Sequence, residues 1–146
     1  MWNNFAQLLV EHGADVNAQD DRKSIPALIR RHVEFTWKLL EHGADMNSQD
    51  GGKSTPLHLA SMGGHIKFAQ ELVEHGANVN AQDSYKSTPL HLASIGGPVE
   101  FTRELVGRGA DVNAHWLERT PFEEASRGFH DIMRLLLAHR AVGNST

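Results

Sequence analysis

Ten histidines are the residues of this chain best suited to chemistry, as metal ligands or as proton carriers. Their spacing argues against both roles. His58 and His91 hold the same place in two copies of one string; His12, His42 and His75 share a place in a second. His32 and His65 share a third. Recurrence at a fixed interval marks a structural position, whereas ligands for an ion converge from different contexts. The zinc-binding spacing His-Glu-x-x-His does not occur, and no metal is expected.

The other candidates weaken in the same way. Gly52-Lys53-Ser54-Thr55 reads like the end of a phosphate-binding loop, but the first glycine of that motif would fall at Asn47. Lys-Ser-Thr-Pro also recurs at 86–89, as a junction between a turn and a helix. Glu123 and Glu124 are adjacent, so on a helix they point about 100° apart, which suits a solvated or partner-facing surface better than a carboxylate pair. There is no Gly-x-Ser-x-Gly and no cysteine for a covalent mechanism. The expectation is a non-catalytic protein with no cofactor.

Composition narrows the class further. Hydrophobic residues make up 40% of 146 residues, enough for one folded domain. The formal charge is −4 and the pI near 6.2, with no Lys/Arg block, so a nucleic-acid partner is not expected. No apolar stretch is long enough to span a bilayer, so no membrane partner is expected either. The first residues lack the basic start and apolar run of a signal peptide, and there are no cysteines to pair. An intracellular, cytoplasmic protein is expected. The sequon Asn144-Ser145-Thr146 is then without consequence.

What positions these residues is an internal repeat. His-Gly-Ala-Asp/Asn-x-Asn recurs with its glycine at Gly13, Gly43 and Gly76, and Arg-Gly-Ala-Asp-Val-Asn places Gly109 alike. The intervals are 30, 33 and 33 residues. Lys-Ser-Thr-Pro-Leu-His-Leu-Ala-Ser occurs at 53–61 and 86–94, with weaker copies at 23–28 and 118–126. Thr before Pro is a helix start: threonine caps, and proline fills a position whose N–H would be unpaired anyway. A helix is predicted over 56–62, a break at Gly63-Gly64, and a second helix from His65 whose face is Ile66, Phe68, Ala69, Leu72 and Val73. Gly76 ends it as a residue able to take positive φ. The next unit repeats this with helices over 89–95 and 99–108. Helices this short are marginal alone, so each pair must stack on the next.

With a 33-residue period and Thr-Pro-Leu-His-x-Ala, the chain resembles the ankyrin repeat family, from about Phe5 to Asn144. The resemblance implies an all-α solenoid of about four and a half helix–turn–helix units joined by β-hairpin-like loops. The units run about 1–20 (a half repeat), 21–50, 51–83, 84–115 and 116–146, as one domain. It implies that His58 and His91 hydrogen-bond within and between repeats. It also puts glycine in the hairpin turn, where this chain has Lys23, Lys53 and Lys86.

The pattern breaks in three places. The chain begins in mid-unit, leaving Trp2, Phe5 and Leu8 on an uncapped stack face; a piece of a longer array is expected. The protein is expected to be a monomer, with end-to-end association through those three residues as the exception. The second unit is three residues short, has Ile25 for threonine, and is expected to be the least regular, with Trp37 filling the space. The last unit is short in its hairpin and in its inter-helix turn, and it has Arg140 at the glycine position, so fraying is expected there.

Partners of ankyrin proteins sit on the side lined by hairpin tips and by the ends of the first helices. Transferred to this sequence, that side holds Lys53, Lys86, Tyr85, Trp116, Leu117 and Arg119 at tips and Met62, Ile95 and Arg127 on helices. Tyr85, Trp116, Leu117, Met62 and Ile95 are read as apolar anchors inside a charged rim, the usual composition of a binding hot spot. For Trp116 and Leu117, covering the shortened last hairpin is the alternative. The expected function is reversible recognition of a protein. Two further readings are a self-associating fragment of a longer array, and the targeting part of an enzyme whose catalytic domain lies elsewhere.

Overall fold

The computed structural model describes residues 40–95, 97–116, 120–125 and 130–143. Six helices occur among them: α1 (Pro56–Gly63), α2 (Ile66–Glu74), α3 (Pro89–Ser94), α4 (Val99–Gly107), α5 (Pro121–Ala125) and α6 (His130–Gly143). No strand occurs among the described residues. The half repeat at the start and the second unit through Leu39, Trp37 included, lie outside them.

The helices form three pairs in two rows. First helices α1, α3 and α5 pack side by side, and second helices α2, α4 and α6 form the row behind them. The first row is enclosed by neighbours, so α1 buries six consecutive residues, Pro56 to Ser61. The serine in that run is satisfied locally, its hydroxyl donating to the Leu57 carbonyl at 2.7 Å, and Ser94 does the same to Leu90. The second row is amphipathic. Phe68, Ala69, Leu72 and Val73 are buried on α2 while Lys67, Glu71 and Glu74 are exposed. The core runs unbroken through Leu57, Leu72, Leu90, Phe101, Leu105 and Leu136.

Four residues of the His-Gly-Ala-Asn-Val-Asn string, Gly76, Ala77, Asn78 and Asn80, have mechanical tasks. Gly76 takes φ 93°, its N–H donates to Val73, and the Ala77 N–H donates to Leu72 at 2.9 Å. That is a Schellman stop, and Gly109 and Ala110 repeat it on α4. Asn78 then closes a turn by accepting the Asn80 N–H, as Asp111 accepts that of Asn113. Asn80 reaches forward: its Oδ1 accepts the Asp111 N–H at 2.8 Å and its Nδ2 donates to the Gly109 carbonyl at 2.9 Å. Asn47 makes the same link to the Asn78 N–H. The string therefore stops a helix and ties it to the next unit.

Helix ends differ from expectation in detail. α1 includes Gly63, and the chain turns at Gly64, φ 71°. α3 stops at Ser94 and α4 at Gly107, one residue early in each case. The larger correction is in the last unit. α6 is 14 residues long and passes through Arg140, whose guanidinium carbon lies 5.6 Å from the centre of the Phe122 ring. Arg140 continues the helix where a stop glycine was expected, so the left-handed conformation anticipated for it is not adopted.

Candidate protein-binding face

Two hairpin loops and the ends of two first helices build the candidate face. In the first loop, Asp50 Oδ1 accepts the N–H groups of Gly52 and Ser54, each at 2.9 Å. Asp83 Oδ1 accepts those of Tyr85 and Ser87 at the same distance. The Lys53 N–H donates to Asp50 and the Lys86 N–H to Asp83, closing tight turns. Neighbouring tips are joined by the Ser84 N–H, which donates to the Gly52 carbonyl at 2.8 Å. The turn that glycine normally makes is kept here by lysine: Lys53 has φ 58° and Lys86 φ 63°. Lysine in the left-handed region costs about 1–2 kcal/mol each.

Below the tips, Thr55 and His58 hold the start of α1. The Thr55 N–H donates to His58 Nδ1 at 3.2 Å, and Thr55 Oγ1 lies 2.8 Å from the same nitrogen. Nδ1 is thus the acceptor, which leaves the proton on Nε2; that nitrogen donates to the Ser87 carbonyl of the next unit at 2.9 Å. Both ring nitrogens are spent on structure. Burial pushes the His58 pKa below its ordinary value, against opposing pulls from the Ser87 carbonyl and from Asp83 and Asp50. Thr88 and His91 repeat the intra-unit bonds at the same distances. At the third copy Glu123 replaces histidine. Its Oε2 accepts from the Thr120 N–H at 2.6 Å and from Thr120 Oγ1 at 3.0 Å. The Thr120 N–H holds the Glu123 carboxyl below the usual carboxylate range. Glu124 is not solvated, as expected of this pair; it is buried, 4% exposed.

Most large hydrophobic side chains among the described residues are buried, and four stand out. Tyr85 is 68% exposed, Met62 54%, Leu137 46% and Ile95 45%. Met62 and Ile95 hold equivalent places near the ends of the packed helices α1 and α3, and Tyr85 sits on a tip. Lys53 and Lys86, also on tips, are exposed as well. Leu137 belongs to the outer row, on α6, and sequence reasoning had not singled it out. On that outer side a groove between α4 and α6 is lined by the charged Glu100, Arg103, Asp131 and Arg134 together with the apolar Val99, Leu135 and Ala138.

Trp116 is placed differently from the projecting tip residue anticipated. It stands in register with Asp50 and Asp83, which cannot be replaced in their turn-holding role by an indole. The ring instead turns onto His91, edge to face with centroids 6.0 Å apart, and Trp116 is only half exposed. Its Nε1 is buried with no hydrogen-bond partner among the described residues. Leu117 and Arg119, and also Arg127, Trp2, Phe5 and Leu8, lie outside those residues.

Two rows of short helices, tied unit to unit by side-chain amides and an imidazole, define a helical repeat solenoid. A family model for ankyrin repeats, in three copies, matches residues 24–115. The chain belongs to the ankyrin repeat family, whose repeats are in general non-catalytic modules of protein–protein interaction. A search of curated protein sequences finds no match to this chain. Among the described residues, no helix is long and apolar enough to cross a membrane.

Proposed function

We propose that this chain holds a protein partner on the face of hairpin tips and inner-helix ends, with Met62, Tyr85 and Ile95 as anchors and Lys53 and Lys86 at the rim. Trp116, Leu117 and Arg119, which the sequence also assigns to partner binding, are included in the proposal as further contacts from the last unit. The observation that carries the reading is the exposure of Met62, Tyr85 and Ile95 on units whose other large hydrophobics are buried or half-buried. These side chains sit on elements fixed by Schellman stops, capped helix starts and inter-unit hydrogen bonds, so little ordering is required on binding. No bond is made or broken. Affinity comes from desolvating the anchors, and selectivity from charge at the rim.

The test uses two baits, the natural chain and the variant Met62→Ser, Tyr85→Ser, Ile95→Ser, with melting curves to show that both fold. All three side chains are exposed, so the variant keeps its core. A protein retained by the natural chain and lost by the variant supports the assignment. A protein retained equally by both contradicts it.

A further inference from the structure

The two hairpin lysines carry information about the partner's chemistry. Among the described residues, Lys53 and Lys86 alone combine a side chain with positive φ. Glycine would take that conformation without strain, and the cost is met twice, at positions 33 residues apart. Conformational outliers that persist at equivalent sites are grounds for asking what the side chain does. Each ammonium is exposed, and neither lies within salt-bridge distance of a carboxylate among the described residues. The nearby carboxylates serve the turns instead: Oδ1 of Asp50 and Oδ1 of Asp83 each accept two turn N–H groups. Of the remaining acids of these units, Glu71, Glu74, Glu100 and Glu104 belong to α2 and α4 in the outer row, and Asp111 follows the end of α4. A protein of net charge −4 therefore presents two exposed lysines on neighbouring loop tips, which the Ser84–Gly52 hydrogen bond links.

We infer that the partner segment is acidic: carboxylates that pair with Lys53 and Lys86 flank an apolar side chain that lies on Met62 and Ile95. This rests on the proposed function and adds the sign of the partner's charge. Met62 and Ile95 supply no polar group for recognition, so the lysines choose among apolar segments by like-charge exclusion and opposite-charge pairing.

The probe is a displayed library of random dodecapeptides, selected on the full chain. Two variants, Lys53→Glu with Lys86→Glu and Met62→Ser with Ile95→Ser, serve as counter-targets. The expected result is enrichment of peptides rich in Asp and Glu around an apolar residue. They should lose at least about fivefold in affinity on the charge-reversed variant. Their binding should also weaken with salt as the screening length drops from about 10 Å at 0.1 M to about 3 Å at 1 M. Peptides without acidic excess, insensitive to the lysines but lost on the Met62/Ile95 variant, overturn the inference and leave the face standing. Peptides insensitive to both variants, or no enrichment, overturn both. Binding of a single-stranded oligonucleotide through the same lysines, in preference to acidic peptides, also overturns it.

Discussion

The Nε2 of His58 donates to the carbonyl of Ser87 at 2.9 Å, across a unit boundary, while its Nδ1 accepts from Thr55 in its own unit. One imidazole thus starts a helix and fastens the next loop to it. Replacing His58 by Ala removes both bonds, strands a buried carbonyl and leaves a cavity at a fully buried site. The expected loss is about 2–4 kcal/mol, read from the urea midpoint. An unchanged midpoint would show that the bridge contributes nothing.

The same residue makes stability depend on pH. In the unfolded chain His58 titrates near 6.5; in the folded chain burial holds it lower. Between those two values the unfolded chain carries a proton that the folded chain does not. Stability from this residue is therefore complete above about pH 6.5 and declines as pH falls toward the folded value. Urea midpoints measured between pH 8 and pH 5 should fall more steeply for the natural protein than for His58→Gln. Equal slopes would contradict the assignment.

Lys53 and Lys86 trade stability for a charged tip. Lys53→Gly and Lys86→Gly relieve a left-handed backbone at φ 58° and 63°. Part of that relief is cancelled by the greater freedom of glycine in the unfolded chain. A net gain of up to about 1 kcal/mol per site is expected by thermal unfolding. A loss at either site would show that the lysine side chains stabilise the turns.

Arg140 gives a test of the opposite sign. If it occupied a helix stop, glycine there would stabilise. Because α6 continues to Gly143, Arg140→Gly puts glycine in a helix and removes the contact with Phe122. A destabilisation of about 1 kcal/mol is expected by urea titration. Stabilisation would mean that the helix ends early.

Much of the architecture was readable because it rests on local chemistry. Thr-Pro starts a helix, Gly76 stops one, and the 33-residue interval states that each unit packs on a copy of itself. The exposure of Met62, Tyr85 and Ile95 was readable, since each stands where a polar residue would serve. Trp116 was not, because the loss of one hairpin residue and the change from aspartate to tryptophan act together, and only packing decides that the indole turns to His91. Arg140 misled for a related reason. The absence of a stop glycine says that a helix is not stopped there, but where it does stop depends on the residues beyond and on what covers them. Glu124 holds the place that Leu59 takes in its own unit, so its burial follows from register, a signal present in the repeat and outweighed by its charge.

The most direct test of the central claim is site-specific photo-crosslinking. A photoreactive amino acid is placed at Tyr85, on a hairpin tip, or at Glu71, exposed on the outer row, and a partner that binds the natural chain is added. The account predicts a covalent adduct from position 85 and none from position 71. An adduct from position 71 with none from position 85 would place the partner on the outer helices and contradict it.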